Sequence, residues 1–244
     1  MTNEVLRALK DEYQRVELSN NEIQNLINND YLKDDNEKYM KMYNWLSRGY
    51  DLVETIGGKL IYGNQVNQMR QEMINKLEWT DNALVLTVSI GTGKDLEYIP
   101  KHIDKKSLTI CGIDISAGML KRCKKKFNQK FNLSLLRCCA EDLPFKDNSF
   151  DIVFHVGGIN FFNDKQKAIE EMIRVAKENT RILIADETND FIEKQYKKRN
   201  ITKKYYNDKT IDLNEIEQLI PTTVKEKKTD ILWNGKFYCI TFRK

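Results

Sequence analysis

Between residues 83 and 186 the apolar positions alternate between two rhythms. Short continuous apolar runs, bounded by polar turns, occupy residues 83–88, 108–113, 133–138, 150–156 and 181–186. Runs of that length predict strands buried on both faces. Between several of them the apolar residues recur every three or four positions, which predicts helices over 94–102, 116–130 and 164–178. The last has Ala168, Ile169, Met172, Ile173 and Ala176 on one stripe, with Asp164 placed to cap its start and Asn179 to take a left-handed turn at its end. Alternating strands and helices imply a parallel sheet covered on both faces.

The flanks follow other patterns. Residues 1–38 are polar and Asn-rich, with helical spacing at Val5, Leu6 and Leu9. The spacing recurs at Ile23, Leu26 and Ile27, where Asn20 would cap a second helix. From Tyr39 aromatic residues cluster, and a helix with Val66, Met69, Met73, Ile74 and Leu77 on one face follows. At the other end, two strand-like runs flank Asn234-Gly235, which predicts a β-hairpin closed by a type I′ turn. The expected organisation is a helical extension over 1–60 and an α/β domain over 61–244.

Composition narrows the class. With 41% apolar and 31% charged residues the chain reads as globular rather than disordered. A net charge of +4 is too small to imply a nucleic-acid partner, and no run approaches the roughly 20 apolar residues of a membrane span. The charged start MTNEVLRALKDEYQ has no apolar signal core, so no export and a cytoplasmic location are expected. Five cysteines without a CxxC pair suggest neither a disulfide framework nor a zinc site. Cys138 and Cys139, as strand neighbours, would point to opposite faces, and no metal site is expected. The basic stretches KRCKKKFNQK and 197–204 read as solvated helix faces or as patches that attract phosphate.

Candidate chemistry begins at LVLTVSIGTGKD. In open α/β sheets ligands bind at the carboxyl ends of the strands. The loop Ser89, Ile90, Gly91, Thr92, Gly93 follows the first α/β strand, and its glycines would permit positive φ and close backbone approach to a ligand. Alone, it is a ligand loop or a plain turn. The next strand ends at Asp114 in CGIDISAGML. A carboxylate there can accept both hydroxyls of a ribose, or simply assist the helix capped by Ser116. The third segment is CCAEDLPFKDNSFDIVFHV, with a strand ending near Cys138 or Cys139.

Read together, LVLTVSIGTG, GIDISAGML, AEDLPFKDNSFDIV and EEMIRVAKENTRILIADE resemble class I S-adenosylmethionine-dependent methyltransferases, and most nearly the small-molecule group that includes the ubiquinone/menaquinone-biosynthesis C-methyltransferases. The resemblance covers roughly residues 40–190. It implies a Rossmann-like, seven-stranded, mostly parallel, doubly wound sheet with an antiparallel C-terminal hairpin. The implied cofactor is S-adenosylmethionine. Ser89, Ile90, Gly91, Thr92 and Gly93 would lie along its methionine and ribose, and Asp114 would bind the ribose. Ile115 and Met119 would flank the adenine, and Ala140 would meet its edge, with Glu141 beside it and Cys139 at the position of the family's adenine-loop acid. The segment from His155 to Asn160 would line the cleft near the methyl group, and the aromatic segment 43–50 resembles the family's N-terminal lid. Three departures stand out: the family carries an acid at Thr87, which holds the methionine ammonium, a glycine at Ser89, and its adenine-loop acid at Cys139 rather than at Asp142, or one residue away if the alignment slips. Glu141, Asp142 or Asp95 could compensate for the two missing acids.

Methyl transfer from a sulfonium needs an in-line nucleophile, so proximity and orientation carry most of the catalysis. A base is needed only if the acceptor must lose a proton. His155 and Tyr50 are the candidate bases, His155 being equally readable as a cleft-lining or hydrogen-bonded residue. The leading expectation is methyl transfer to a small molecule, without membrane or nucleic-acid partners. The alternatives are an RNA methyltransferase, or a protein that binds S-adenosylmethionine without catalysis.

Overall fold

The computed structural model describes residues 1–14, 23–47, 63–195 and 212–244. Asn20, Tyr50, the basic stretch 197–204 and the expected boundary at residue 60 lie outside the described residues.

Among the described residues eight strands form one mixed sheet: β1 (Gln24–Asn25), β2 (Leu84–Val88), β3 (Thr109–Asp114), β4 (Asn132–Arg137), β5 (Ile152–Val156), β6 (Arg181–Glu187), β7 (Lys225–Leu232) and β8 (Phe237–Arg243). Their spatial order is β1-β4-β3-β2-β5-β6-β8-β7. All neighbours from β1 to β6 are parallel, while β8 runs antiparallel to both β6 and β7. Strand order reverses where β2 lies between β3 and β5, which places a crevice at the carboxyl ends of these strands. Asn234 and Gly235 both take positive φ (52° and 83°), as a type I′ turn requires, and Trp233 joins them at 49°.

The alternation along each strand builds two cores. In β2, Val85 faces one side with Ile110, Leu120, Phe127 and Phe154, while Leu86 and Val88 face the other with Ile113, Phe145 and Met172. Helices α4 (Gln65–Ile74) and α5 (Ala117–Phe127) cover the first side; α1 (Asn3–Ala8), which the short α2 (Asp11–Gln14) follows, and α6 (Lys165–Val175) cover the second. Ser116 and Asp164 cap α5 and α6 through hydrogen bonds from the Met119 and Lys167 amides. Asn179 takes the expected left-handed turn, at φ 63°. Helix α3 (Asp34–Leu46) packs Tyr39 and Met42 against Phe161 and Ile192, the latter in α7 (Asn189–Gln195). Among the described residues no helix is long and apolar enough to cross a membrane.

Two expectations are corrected. The second N-terminal helix is not formed: Gln24 and Asn25 pair in parallel with Leu136 and Arg137 and add an eighth strand. Asn-rich sequence is a weak helix former, and the free edge of β4 offers its backbone ready partners. The helix over 94–102 shrinks to a 3-10 turn, Lys94–Tyr98. Ile99 precedes Pro100 and is held extended, at ψ 131°, which ends the helix there. The N-terminal segment is also woven into the main core. Val5 and Leu9 are fully buried, Thr2 donates its amide to Ser134, and Lys10 donates its own to the Pro144 carbonyl.

Candidate active site

The crevice at the carboxyl ends of β2, β3, β4 and β5 holds a cleft lined by Ser89, Ile90, Gly91, Thr92, Asp114, Ile115, Met119, Ala140 and Glu141. The loop after β2 is shaped by its backbone. Ser89, Gly91 and Gly93 all take positive φ, at 56°, 56° and 79°. A Cβ on Gly91 would meet nothing within 4 Å, so that face of the loop is open. A Cβ on Gly93 would come within 2.8 Å of Cys123 Sγ and 2.9 Å of the Phe127 ring. Gly93 thus allows α5 to pack on the loop and does not itself line the cleft.

Asp114 ends β3 and is tied to that loop. Its Oδ2 accepts from the Gly91 amide at 2.9 Å and its Oδ1 from the Ser116 amide at 2.8 Å. Burial pushes the carboxyl up to about 6, against both amides, which favour the ionised form. Ile115, the next residue, is fixed by Arg137, whose Nε donates to its carbonyl at 3.0 Å. Ile115, Met119 and Ala140 supply an apolar wall beside the carboxylate.

The N-terminal residues close the far side. Asn36 of α3 donates to Glu141 Oε1 at 2.8 Å, and burial raises the Glu141 carboxyl. Asn44 accepts from Ser116 Oγ at 2.7 Å and from the Gly118 amide at 3.0 Å, so α3 is latched to the start of α5. Tyr39, Tyr43, Phe161 and Phe162 line the cleft between α3 and the segment after β5.

Several expected residues lie elsewhere. His155 is fully buried, and its two nitrogens are used inside the fold: Nδ1 lies 3.2 Å from the Val88 carbonyl and Nε2 accepts from the Ile159 amide at 3.0 Å. That pair of partners fixes a neutral ring, and burial pushes its pKa down to about 4. The ring offers no lone pair to an acceptor, and the role of base is not retained for it. Cys139 is buried outside the cleft, and its neighbour Cys138 lines the cleft instead. Burial holds the Cys139 thiol at about 12. Thr87 sits mid-sheet between Gly112 and Phe154, buried and away from the cleft.

Other lining residues carry no motif. Asp186 and Glu187 end β6, and Asp186 accepts from the Gly158, Asn160 and Glu187 amides. Their position at a strand's carboxyl end was the signal that could have found them. Arg70 comes from α4, well before the first α/β strand, and pairs with Asp95 at 2.5 Å beside the glycine loop.

These residues suit S-adenosylmethionine. A carboxylate stands at a strand end for the ribose, an apolar wall lies beside it for the adenine, and charged groups flank the loop for the methionine end. Residues 86–184 match the family described as a methyltransferase domain. The ubiquinone/menaquinone biosynthesis C-methyltransferase of Geotalea daltonii is 29% identical over 160 residues, which cover 64% of this chain and 65% of that protein, so the match spans a little under two thirds of that relative. A Thermotoga maritima SAM-dependent methyltransferase, described as a possible histamine N-methyltransferase, is 17% identical, with 84% of this chain and 99% of that one covered and a TM-score of 0.61. Phosphoethanolamine N-methyltransferase 2 of Haemonchus contortus, solved with S-adenosyl-L-methionine, is 16% identical, with 76% and 55% covered and a TM-score of 0.59. The fold and the matched methyltransferase domain over residues 86–184 are similar to those of class I S-adenosylmethionine-dependent methyltransferases. Within that class its sequence similarity includes the quinone-biosynthesis C-methyltransferases.

Proposed function

We propose that this protein transfers the methyl group of S-adenosylmethionine to a small acceptor with an aromatic, quinol-type ring. The observation that carries this reading is that one cleft is lined by two sets of residues. Asp114 and the glycine loop form the cofactor set, and Tyr39, Tyr43, Phe161 and Phe162 form an aromatic set in the same cleft. Similarity to quinone-biosynthesis relatives supports the acceptor class.

When bound, the cofactor supplies an activated methyl on a sulfonium. The protein's share is to hold, orient and dry the reactants. Asp114 would accept both ribose hydroxyls while its Oδ2 keeps the Gly91 amide in place. Ile115, Met119 and Ala140 would sandwich and edge the adenine. The aromatic set would stack the acceptor, where offset ring contacts contribute about 0.5–1.5 kcal/mol each beyond area burial. Holding both reactants in line converts a bimolecular step into an effectively unimolecular one. The test is transfer of label from methyl-tritiated S-adenosylmethionine to a panel of demethylated quinols, catechols, amines and RNA. Label in a quinol product supports the reading; label confined to RNA would overturn it.

A further inference from the structure

The basic stretch of α5 has no part in the cleft chemistry. Between Asp114 and Glu141 the chain carries no acidic residue, yet Lys121, Arg122, Lys124, Lys125, Lys126 and Lys130 lie on α5 and just beyond it. A helix that merely faces water commonly mixes charges of both signs. This one buries Met119, Leu120, Cys123 and Phe127 in the core and leaves Lys121 and Lys125, one turn apart, exposed on the outer side. Lys126 is answered by Glu97 at 2.9 Å. Among the described residues Lys121, Lys124 and Lys125 make no ion pair.

An aromatic side chain borders the same stripe. Gly118 begins it, and α3 sits directly on that position. A Cβ on Gly118 would come within 2.5 Å of Ser47 Oγ, and its amide donates to Asn44 Oδ1 at 3.0 Å. Trp45, the residue after Asn44, is 65% exposed. Among the described residues it is one of two large hydrophobic side chains left exposed; the other, Ile231, lies on the edge strand β7. An indole favours the boundary between water and hydrocarbon, and lysines beside it are drawn to an anionic surface. Proteins that track single-stranded nucleic acid combine a basic groove with successive stacking aromatics, whereas this face presents one.

We infer that the stripe of α5 through Lys121 and Lys125, together with Trp45, docks the protein on an anionic lipid surface, the lysines meeting the headgroups and the indole inserting at their level. No membrane partner is expected from the sequence, because no segment is apolar enough to span one; docking on the surface needs no span. α3 and α5 also supply Tyr39, Tyr43 and Met119 to the cleft, so docking brings the cleft close to the lipid. The inference is independent of the acceptor proposed above.

The test is sedimentation of the full chain with two kinds of vesicle, phosphatidylcholine alone and phosphatidylcholine mixed with phosphatidylglycerol. The mixed vesicles should bind roughly tenfold more tightly or better, and raising salt from about 0.1 M to about 0.5 M should release the protein. Lys121→Gln combined with Lys125→Gln should weaken that binding roughly twentyfold, about fivefold per lysine. Trp45→Ala should weaken it several-fold and remove the blue shift of tryptophan emission that the wild-type protein shows on vesicles. All three side chains are exposed, so the variants should melt as the wild type does. Equal binding to both kinds of vesicle, binding to neither, or variants that bind as the wild type does would overturn the inference. Binding of a single-stranded RNA oligonucleotide without binding of vesicles would overturn it in favour of nucleic acid.

Discussion

The Asp114 carboxylate accepts the Gly91 amide at 2.9 Å, so the group expected to bind a ribose also holds the glycine loop in shape. Binding and preorganisation therefore share one side chain. Asp114→Ala removes the ribose acceptor and frees the loop. Charged hydrogen bonds contribute about 1.5–3 kcal/mol, so cofactor affinity should fall roughly ten- to hundredfold. Calorimetric titration checks it.

Proton linkage at the same residue gives a pH signature. The carboxyl titrates at about 6 without ligand, and ribose hydroxyls donate to its ionised form. Bound ligand therefore lowers that pKa. Affinity should be flat above about pH 6 and weaken as pH falls through it, approaching tenfold per pH unit. Titrations from pH 8 to 5 measure the slope, and Asp114→Asn should flatten it.

Ser89 adopts φ 56°, a conformation that favours glycine. A left-handed L residue costs about 1–2 kcal/mol, and glycine's extra freedom in the unfolded chain returns about 0.4–1 of it. Ser89→Gly should thus stabilise the protein by roughly 0.5–1 kcal/mol and raise Tm by about 1–4 °C, seen in a thermal melt. The serine is a local strain at the cleft, tolerated by the packing around it.

His155 should behave as a structural residue. His155→Gln cannot replace both the contact to Val88 and the one to Ile159, and should cost about 2–3 kcal/mol in denaturant unfolding. The folded-state pKa of about 4 lies below the ordinary 6.5, so neutral histidine stabilises fully above pH 6.5. The deficit of the variant should shrink as pH falls from 6.5 toward 4, and the pH–rate profile should show no limb from this ring.

The latch between α3 and α5 is open to a kinetic test. Asn44→Ala removes the acceptor shared by Ser116 Oγ and the Gly118 amide. Stopped-flow displacement should show cofactor leaving several-fold faster, since interface changes act mainly on dissociation.

How far the chain could be read in advance depended on whether the information was local. The five α/β strands, the caps at Ser116 and Asp164 and the Asn234-Gly235 turn follow from neighbouring residues alone, and each was placed within a few positions. Asp114 and the glycine loop were legible because spacing along a parallel sheet converts directly into proximity. Gln24 and Asn25 are not legible locally, since pairing with β4 is a long-range choice that overrides weak helical spacing. His155 looked catalytic by position, yet only the fold shows Val88 and Ile159 on either side of its ring. Arg70 carried no motif at all, and reaches the loop only because α4 packs beside the turn holding Asp95.

The central claim is that this cleft binds S-adenosylmethionine through Asp114. Calorimetric titration of the wild-type chain with S-adenosylmethionine at pH 7.5, beside Asp114→Ala, tests it most directly. The account predicts saturable one-to-one binding that the substitution weakens by tenfold or more, as the loss of a charged hydrogen bond requires. No binding at millimolar ligand, or equal affinity in the two proteins, would contradict it.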